Sequence, residues 1–158
     1  MARSKPIENE QTISRDRLAE LLNEDLAREY QAIIGYVVYS QVLKGAAYMN
    51  IADQLETHAK QELEHALIIA RQIDYLGKMP VVTSKPVKTS EDPKEMLRFD
   101  LDNEGETIRN YRQRVRQCEH IWANSRWPNR FGRSSSMSRT IKLTWRQLSA
   151  KTFRMSTN

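Results

Sequence analysis

Three glutamates and one histidine have the residue types and spacing of a metal site. Glu29, Glu62 and Glu104 each lie in the middle of a stretch whose apolar residues recur every three or four positions, and His65 follows Glu62 by one helical turn. An ionised carboxylate that faces a protein core is destabilising unless a cation or a hydrogen-bond donor compensates it. Carboxylates combined with one or two imidazoles suit iron or manganese, with zinc as a substitute. The sequence therefore predicts a carboxylate-rich metal site.

Each of these residues also has a purely structural explanation. A single Glu in an apolar stripe often lies at its edge with the carboxylate in water, and a histidine beside it is commonly a surface or capped core residue. Taken together, three mid-helix acids, one of them in Glu-x-x-His spacing, favour the metal site. We interpret His58 as structural. Tyr36 lies two turns after Glu29 on the same face and fits either core packing or a hydrogen bond to the metal ligands.

Three long helices and one extended crossover must position these side chains. Ser14 is a good helix cap, and Gly45 and Gly77 indicate helix ends. Asp92, followed by a proline and a capping-box acid, starts the last helix. The predicted elements are helices over 14–44, 47–76 and 93 to at least 119, with an extended segment over 78–91.

The lengths of these elements decide the topology. Two helices of about 30 residues are each about 45 Å long, and a short connection makes them antiparallel. An extended segment of about 14 residues reaches about 46 Å, so the third helix can start at the far end and run parallel to the second. We therefore predict an all-α four-helix bundle with one crossover, whose fourth helix should follow Glu119.

On these residues the sequence resembles the ferritin-like superfamily, and within it the bacterioferritins. The matching segments are LNEDLAREYQAIIGY in the first helix, QELEHA in the second, and DLDNEGETI leading to RQCE in the third. The resemblance covers residues of about 15–119 and implies a ferritin-like four-helix bundle. It implies Fe²⁺ binding at a di-iron site and ferroxidase-type oxidation by O₂ or peroxide, for iron storage or detoxification. The ligands it implies are Glu29, Glu62, His65 and Glu104, with Glu62 bridging and Tyr36 nearby.

Two features depart from the bacterioferritin pattern. Bacterioferritins that bind haem use a Met directly after the second-helix Glu, and Leu63 stands at that position here, so haem ligation of that kind is not expected. The crossover is longer and richer in proline than this family leads us to expect, which disfavours the large multi-subunit cage. We still expect a homo-oligomer of at least two copies, because uncovered apolar residues would favour association.

The C-terminal segment has a different composition from the rest of the chain. Residues 1–120 carry 17 Lys or Arg and 20 Asp or Glu, whereas residues 121–158 carry eight and none, so the net charge of +5 combines an acidic body with a basic tail. The family's fourth helix should bring a second Glu-x-x-His, but no Glu, Asp or His follows His120. Pro128, Gly132 and a serine triplet also interrupt any helical stripe.

We interpret this tail as the product of a shifted reading frame. When synonymous codons are chosen for residues 136–141 and read one base earlier, they encode Asp-Glu-Gln-Asp-His, which contains Glu-x-x-His. The same frame, extended from Glu119 to Asn158, encodes an acidic and amphipathic sequence. Without that helix the chain lacks the second Glu-x-x-His, so we expect the ferroxidase reaction to be impaired until the helix is restored.

Two other functions fit the same residues. One is a metal-sequestering bundle whose basic, tryptophan-containing tail binds nucleic acid through phosphate contacts and base stacking, although we do not expect nucleic acid as a partner. The other is a different di-iron reaction, such as peroxide reduction, because a fold alone does not choose among chemistries.

Composition indicates the compartment and the division of the chain. The single Cys118 excludes a disulfide framework and fits a reducing compartment, and the N-terminal residues lack the apolar stretch of a signal peptide. The longest apolar run, over 32–39, is too short to span a membrane. We predict a cytoplasmic protein without a membrane partner. Its predicted parts are a flexible segment over 1–13, the ferritin-like helices over 14–119 and the basic segment over 120–158.

Overall fold

The fold is built from three long helices joined by one short turn and one long extended segment. The computed structural model describes residues 13–124, so the N-terminal segment and most of the basic tail lie outside the described residues. Within that range no strand occurs and no helix is long and apolar enough to cross a membrane. This confirms the predicted all-α arrangement. The elements are α1 (Arg15–Val42), a 3-10 turn (Ala46–Tyr48), α2 (Met49–Tyr75) and α3 (Pro93–Asn124).

The start of α1 and the end of α2 follow the signals in the sequence. The Ser14 hydroxyl accepts a hydrogen bond of 3.1 Å from the backbone N–H of Arg17, as the N-cap of α1. Gly77, with φ of 77°, adopts the left-handed conformation that ends many helices. The N–H of Lys78 then reaches back to the carbonyl of Ile73 at 3.1 Å, which closes a Schellman motif.

The start of α3 differs slightly from the predicted capping box, and the helix extends five residues beyond Glu119, its predicted minimum end. Asp92 accepts a hydrogen bond from the backbone N–H two residues later, as an N-cap does. The backbone N–H of Glu95 donates to the Asp92 carbonyl at 3.1 Å, but the Glu95 carboxylate does not accept from the Asp92 N–H. It accepts instead from the Ser90 hydroxyl, which itself accepts from the Asp92 N–H. The helix continues to Asn124 because no Pro or Gly occurs before that point in the tail.

The crossover runs along α1 from one end of the bundle to the other. It is extended over 78–91, as predicted. Near the start of α1, Asn23 accepts a hydrogen bond of 2.7 Å from the N–H of Val81. Near the end of α1, the Tyr39 hydroxyl donates to the carbonyl of Lys88 at 2.5 Å. The third helix therefore starts at the far end of the pair, antiparallel to α1 and parallel to α2.

Two apolar clusters lie on either side of a buried polar layer. The polar layer contains Glu29, Glu62 and His65, whose exposed fractions are 1%, 8% and 1%. The first apolar cluster consists of Leu18, Leu22, Leu26, Ala66, Ile69, Ile73 and Tyr111. The second apolar cluster consists of Tyr36, Tyr39, Leu43, Leu55, Ala59 and Met96.

One side of the described bundle carries an exposed apolar residue. Helices α2 and α3 both pack against α1 but leave a groove between them. Leu101, which the spacing of apolar residues assigns to the inner stripe of α3, is 62% exposed beside this groove. A bundle of this topology has its fourth helix in such a groove, and no helix among residues 13–124 covers Leu101 there.

Candidate metal centre

The polar layer brings three of the four predicted ligands together. Glu62 and His65 lie three positions apart on one face of α2, and the antiparallel α1 places Glu29 opposite them. His65 Nδ1 is 2.7 Å from Glu62 Oε2 and 3.5 Å from Glu29 Oε2. One donor atom from each of the three residues lies within 4.8 Å of the others. This group, which we call the donor triad, could therefore hold a metal ion.

Two atoms of the donor triad are buried without a hydrogen bond. Glu29 Oε2 and His65 Nε2 are both shielded from solvent, and neither has a hydrogen-bond partner among residues 13–124. An unsatisfied buried donor or acceptor commonly costs about 1–3 kcal/mol, and more when it is charged. Buried polar groups are therefore almost always paired, and the exceptions call for a functional explanation. A cation bound at this layer would interact with the buried oxygen of Glu29 that lacks a hydrogen bond.

Burial and mutual contact control the protonation of the donor triad. Burial raises the pKa of Glu29 to about 8, although His65 pulls it down. Burial also works to lower the pKa of His65, but the nearby carboxylates of Glu29 and Glu62 outweigh burial and raise that pKa to about 9. Burial would raise the pKa of Glu62, but the contacts with His65 and Glu29 lower it instead. The triad therefore binds protons near neutral pH that a divalent cation would displace.

Glu104, the fourth predicted ligand, lies on the cavity beside the triad but outside the closest group of donor atoms. The cavity measures about 30 Å³, which is room for about one water or ion. Glu104 Oε1 accepts a hydrogen bond of 3.3 Å from the Tyr36 hydroxyl. Burial and the charge of Asp100 together raise the pKa of Glu104 to about 7. Tyr36 thus forms a hydrogen bond to Glu104, a predicted ligand, and such a bond was one of its two expected roles.

Asp100 is a site residue that the sequence analysis missed. It lies four positions before Glu104, hence on the same face of α3, and lines the same cavity. Burial, with a smaller contribution from the charge of Glu62, raises the pKa of Asp100 to about 6, although the neighbouring Tyr36 hydroxyl works to lower it. The four-residue spacing was the available signal, but Asp100 does not continue the apolar stripe that singled out the glutamates.

Tyr111 is the second missed residue. The apolar spacing of α3 assigns it to the core, and it is indeed 1% exposed within the first apolar cluster. Its hydroxyl, however, donates a hydrogen bond to Glu29 Oε1. No spacing rule distinguishes this role from simple packing, because a Phe at the same position would give the same pattern.

Two further residues of the sequence analysis lie beside the site. The His58 ring packs edge-on against Tyr36 with ring centroids 5.7 Å apart, and it takes no part in the donor triad. Leu63 follows Glu62 on α2 and is 51% exposed on the outer side of the helix.

Fold and donor set together are those of a ferritin-like carboxylate protein. Long helices joined by an end-to-end crossover carry Glu, Glu-x-x-His and Glu to one buried layer. A family model of the ferritin-like domain matches residues 19–121. The chain therefore belongs to the ferritin-like family, as its motifs predict.

Three known proteins illustrate this membership. A bacterial ferritin of Synechocystis is 26% identical over 104 residues, which are 65% of this chain and 64% of that protein. The chain thus spans just under two thirds of this relative. A ferritin-like, diiron-carboxylate protein of Bacillus anthracis has a TM-score of 0.75 at 28% identity and covers 91% of this chain and 94% of its own.

The third protein is a bacterioferritin of Rhodobacter capsulatus, crystallised with a metal-free dinuclear site and haem iron. It has a TM-score of 0.71 at 22% identity, over 89% of this chain and 79% of its own. At this identity the likeness concerns the fold. Because that protein contains haem, the expectation that Leu63 disfavours haem in this chain stays a prediction.

Proposed function

We propose that this protein binds Fe²⁺ through Glu29, Glu62 and His65, with Glu104 completing the site. The observation that carries the proposal is the buried donor triad, in which Glu29 Oε2 and His65 Nε2 lack hydrogen-bond partners within the described part of the chain. Carboxylate oxygens with imidazole nitrogen form a donor set that suits iron. The diiron-carboxylate description of the Bacillus anthracis relative, at 28% identity, supports the same metal.

The role of the site is the oxidation of Fe²⁺ by O₂ or peroxide, for iron storage or detoxification. A pair of bound irons would supply two electrons to the oxidant. Glu62, which contacts His65 and lies within reach of Glu29, would be the ligand shared by the two ions. Tyr36 keeps the Glu104 carboxylate oriented toward the cavity through its hydrogen bond. Glu29 and His65 are each only 1% exposed, and this shielding from water strengthens electrostatic interactions between them.

The second half of the site would come from a fourth helix in the groove between α2 and α3. The shifted-frame interpretation supplies that helix with the missing Glu-x-x-His. With the basic tail in its place, we expect one metal per chain and slow oxidation. Intact mass and peptide mapping distinguish the two forms: peptides such as LTWR identify the basic tail, and acidic peptides of the shifted frame identify the helix.

We also propose that the protein assembles with copies of itself through the outer face of α1 and α2. Ile34, Val37, Leu63 and Leu67 are 44–52% exposed there, and Val37 and Leu63 line one shallow groove. Exposed apolar residues grouped in this way mark association surfaces. Sedimentation of Val37→Lys tests this, and a variant that sediments like the wild type would contradict it.

Anaerobic calorimetric titration with Fe²⁺ tests the metal site. We expect about one Fe²⁺ per chain with the basic tail and about two per chain when the shifted-frame helix is restored, because each Glu-x-x-His supplies half of the donor set. Glu62→Ala should abolish binding in both. Glu64→Gln, which changes an exposed acid on the same helix, is the matched control. If Glu62→Ala binds Fe²⁺ as well as Glu64→Gln does, the proposed function is wrong.

A further inference from the structure

We propose that the chain's own basic segment, residues 137–155, docks into the groove between α2 and α3. The groove has a volume of about 270 Å³. Its lining is partly apolar and partly acidic, since Leu101, which is 62% exposed, lies there beside Asp100 and Glu104. This inference concerns an internal docking surface and does not depend on the proposed metal chemistry.

The groove lacks both a cation and a hydrogen-bond partner within residues 13–124. No Lys or Arg in that range forms an ion pair with Asp100 or Glu104. On the α2 side of the groove, the buried Nδ1 of His58 has no hydrogen bond to the described chain. Burial lowers the pKa of His58, which favours its neutral form. A segment with cationic side chains and hydrogen-bond donors would satisfy the two acids and the imidazole.

Residues 137–155 have the complementary chemistry. The segment carries five Lys or Arg and no Asp or Glu. Beyond the serine triplet its apolar residues recur at intervals of four, four and three, which is the spacing of one helical face, at Met137, Ile141, Trp145 and Leu148. Such a face would cover the exposed leucine of the groove, and the cations would approach its two acids. The occupant therefore differs from a fourth ferritin helix, which would bring a second Glu-x-x-His to this place.

The length of the chain after α3 allows this placement. Leu101 lies 23 residues before the end of α3 at Asn124, hence about 35 Å from it along the helix axis. Residues 125–158 number 34 and would span about 51 Å even as a continuous helix, so they can turn back and pass the groove. Pro128 and Gly132 suit such a turn. A covalently attached segment has a high effective concentration, which favours it over the same segment of another copy.

Nitroxide quenching of tryptophan fluorescence tests the docking in the full chain. All three tryptophans lie at or beyond position 122, so Trp122→Phe and Trp127→Phe leave Trp145 as a single reporter within the segment. The single native cysteine is replaced by serine, and a nitroxide is attached at Gln54→Cys, an exposed position that lines the groove. Glu56→Cys is the matched control, because it is exposed at the same level of α2 but on the other side of the helix.

In EDTA, where the outcome is independent of the metal site, we expect the label at position 54 to quench Trp145 several-fold more strongly than the label at position 56. Leu101→Lys, which places a like charge in the groove at an exposed position, should abolish this difference. Equal quenching from the two positions would overturn the inference. Quenching that depends on protein concentration would also overturn it, since the segment of another copy would then occupy the groove.

A second measurement uses the unlabelled wild-type chain. Trypsin cleaves after Lys and Arg, and exposed chain that is not packed against the fold is cut first. We expect the earliest cuts at the three arginines within 126–133, and cleavage after Lys142 and Arg146 to be several-fold slower. In Leu101→Lys the two sets of sites should be cut at similar rates. Wild-type cleavage after Lys142 and Arg146 that is as fast as cleavage within 126–133 would overturn the inference.

Discussion

Two buried carboxylate groups lie one helical turn apart on α1 and differ in the cationic group beside them. Asp25 is 1% exposed and lies against Arg114, whose Nε and Asp25 Oδ2 are 2.7 Å apart. Glu29 is equally buried, but among the described residues no Lys or Arg forms an ion pair with it, and its nearest cationic group is His65. The described chain supplies a permanent cation to the first carboxylate and none to the second, which we propose as a metal ligand.

This difference separates a structural acid from a functional one. A guanidinium cannot lose its proton, so the Asp25–Arg114 pair is complete in every state of the protein. An imidazole can lose its proton, so the group around Glu29 can exchange protons for a metal ion. Burial alone therefore does not identify a metal ligand. The informative feature is a buried carboxylate whose charge the protein itself does not neutralise.

The largest expected effect comes from breaking the complete pair. Arg114→Leu leaves Asp25 buried without its cation, and breaking a buried ion pair on one side commonly costs about 3–5 kcal/mol. We expect the free energy of unfolding in urea to fall by about that amount. Arg116→Leu on the same helix, where the side chain is exposed, should change it by about 0.5 kcal/mol or less. Equal losses in the two variants would show that the Asp25–Arg114 contact is not structural.

A smaller loss of stability is expected when the pH of the metal-free protein is raised. This loss comes from the titratable group around Glu29 and not from the Asp25–Arg114 ion pair. The pKa of Glu29 is raised to about 8 and that of His65 to about 9 in the folded state, so the fold binds more protons than the unfolded chain between about pH 4.5 and 9. Stability falls with pH wherever the folded state binds more protons. We therefore expect the free energy of unfolding in EDTA to decrease by about 1–3 kcal/mol from pH 5.5 to 8.5.

Glu29→Gln sharpens this test. The variant cannot ionise at that position, so its stability should vary less with pH than that of the wild type. Added Co²⁺ should stabilise the wild type more at pH 8.5 than at pH 5.5, because the metal competes with fewer protons there. A wild-type stability in EDTA that rises over this range would contradict the assigned protonation of the layer.

The same comparison explains which site residues the sequence could reveal. Glu29, Glu62 and Glu104 interrupt apolar stripes, and a helical stripe with an acid at its centre is visible in any sequence with a 3.6-residue period. Helix lengths and the length of the crossover were equally visible and predicted the topology. These features depend on local periodicity and on chain length alone.

The residues that were missed depend on contacts between helices. The role of Asp25 becomes evident only when α3 brings Arg114 against it, and the hydroxyl of Tyr111 is hidden within an apolar pattern. Leu101 shows the reverse error, since its stripe predicts burial but the described chain has nothing over it. A single sequence specifies the inner face of a helix more reliably than it specifies which partner meets that face.

The smallest expected effect concerns Asp100, a half-buried acid beside Glu104. It tests whether an acid that lines the cavity but lies outside the donor triad takes part in metal binding. Its carboxylate lines the cavity with Glu104, and its raised pKa of about 6 reflects burial first and the charge of Glu62 as well. Asp100 is not one of the donor triad, so Asp100→Asn removes negative charge near the cation without removing a ligand. Because such charges act at a distance through a partly polar medium, we expect the Kd for Co²⁺ to rise by about 2- to 5-fold. Asp102→Asn, which changes an exposed acid on α3, should have no effect. A loss of affinity as large as that of Glu62→Ala would instead show that Asp100 is a metal ligand, contributed by α3.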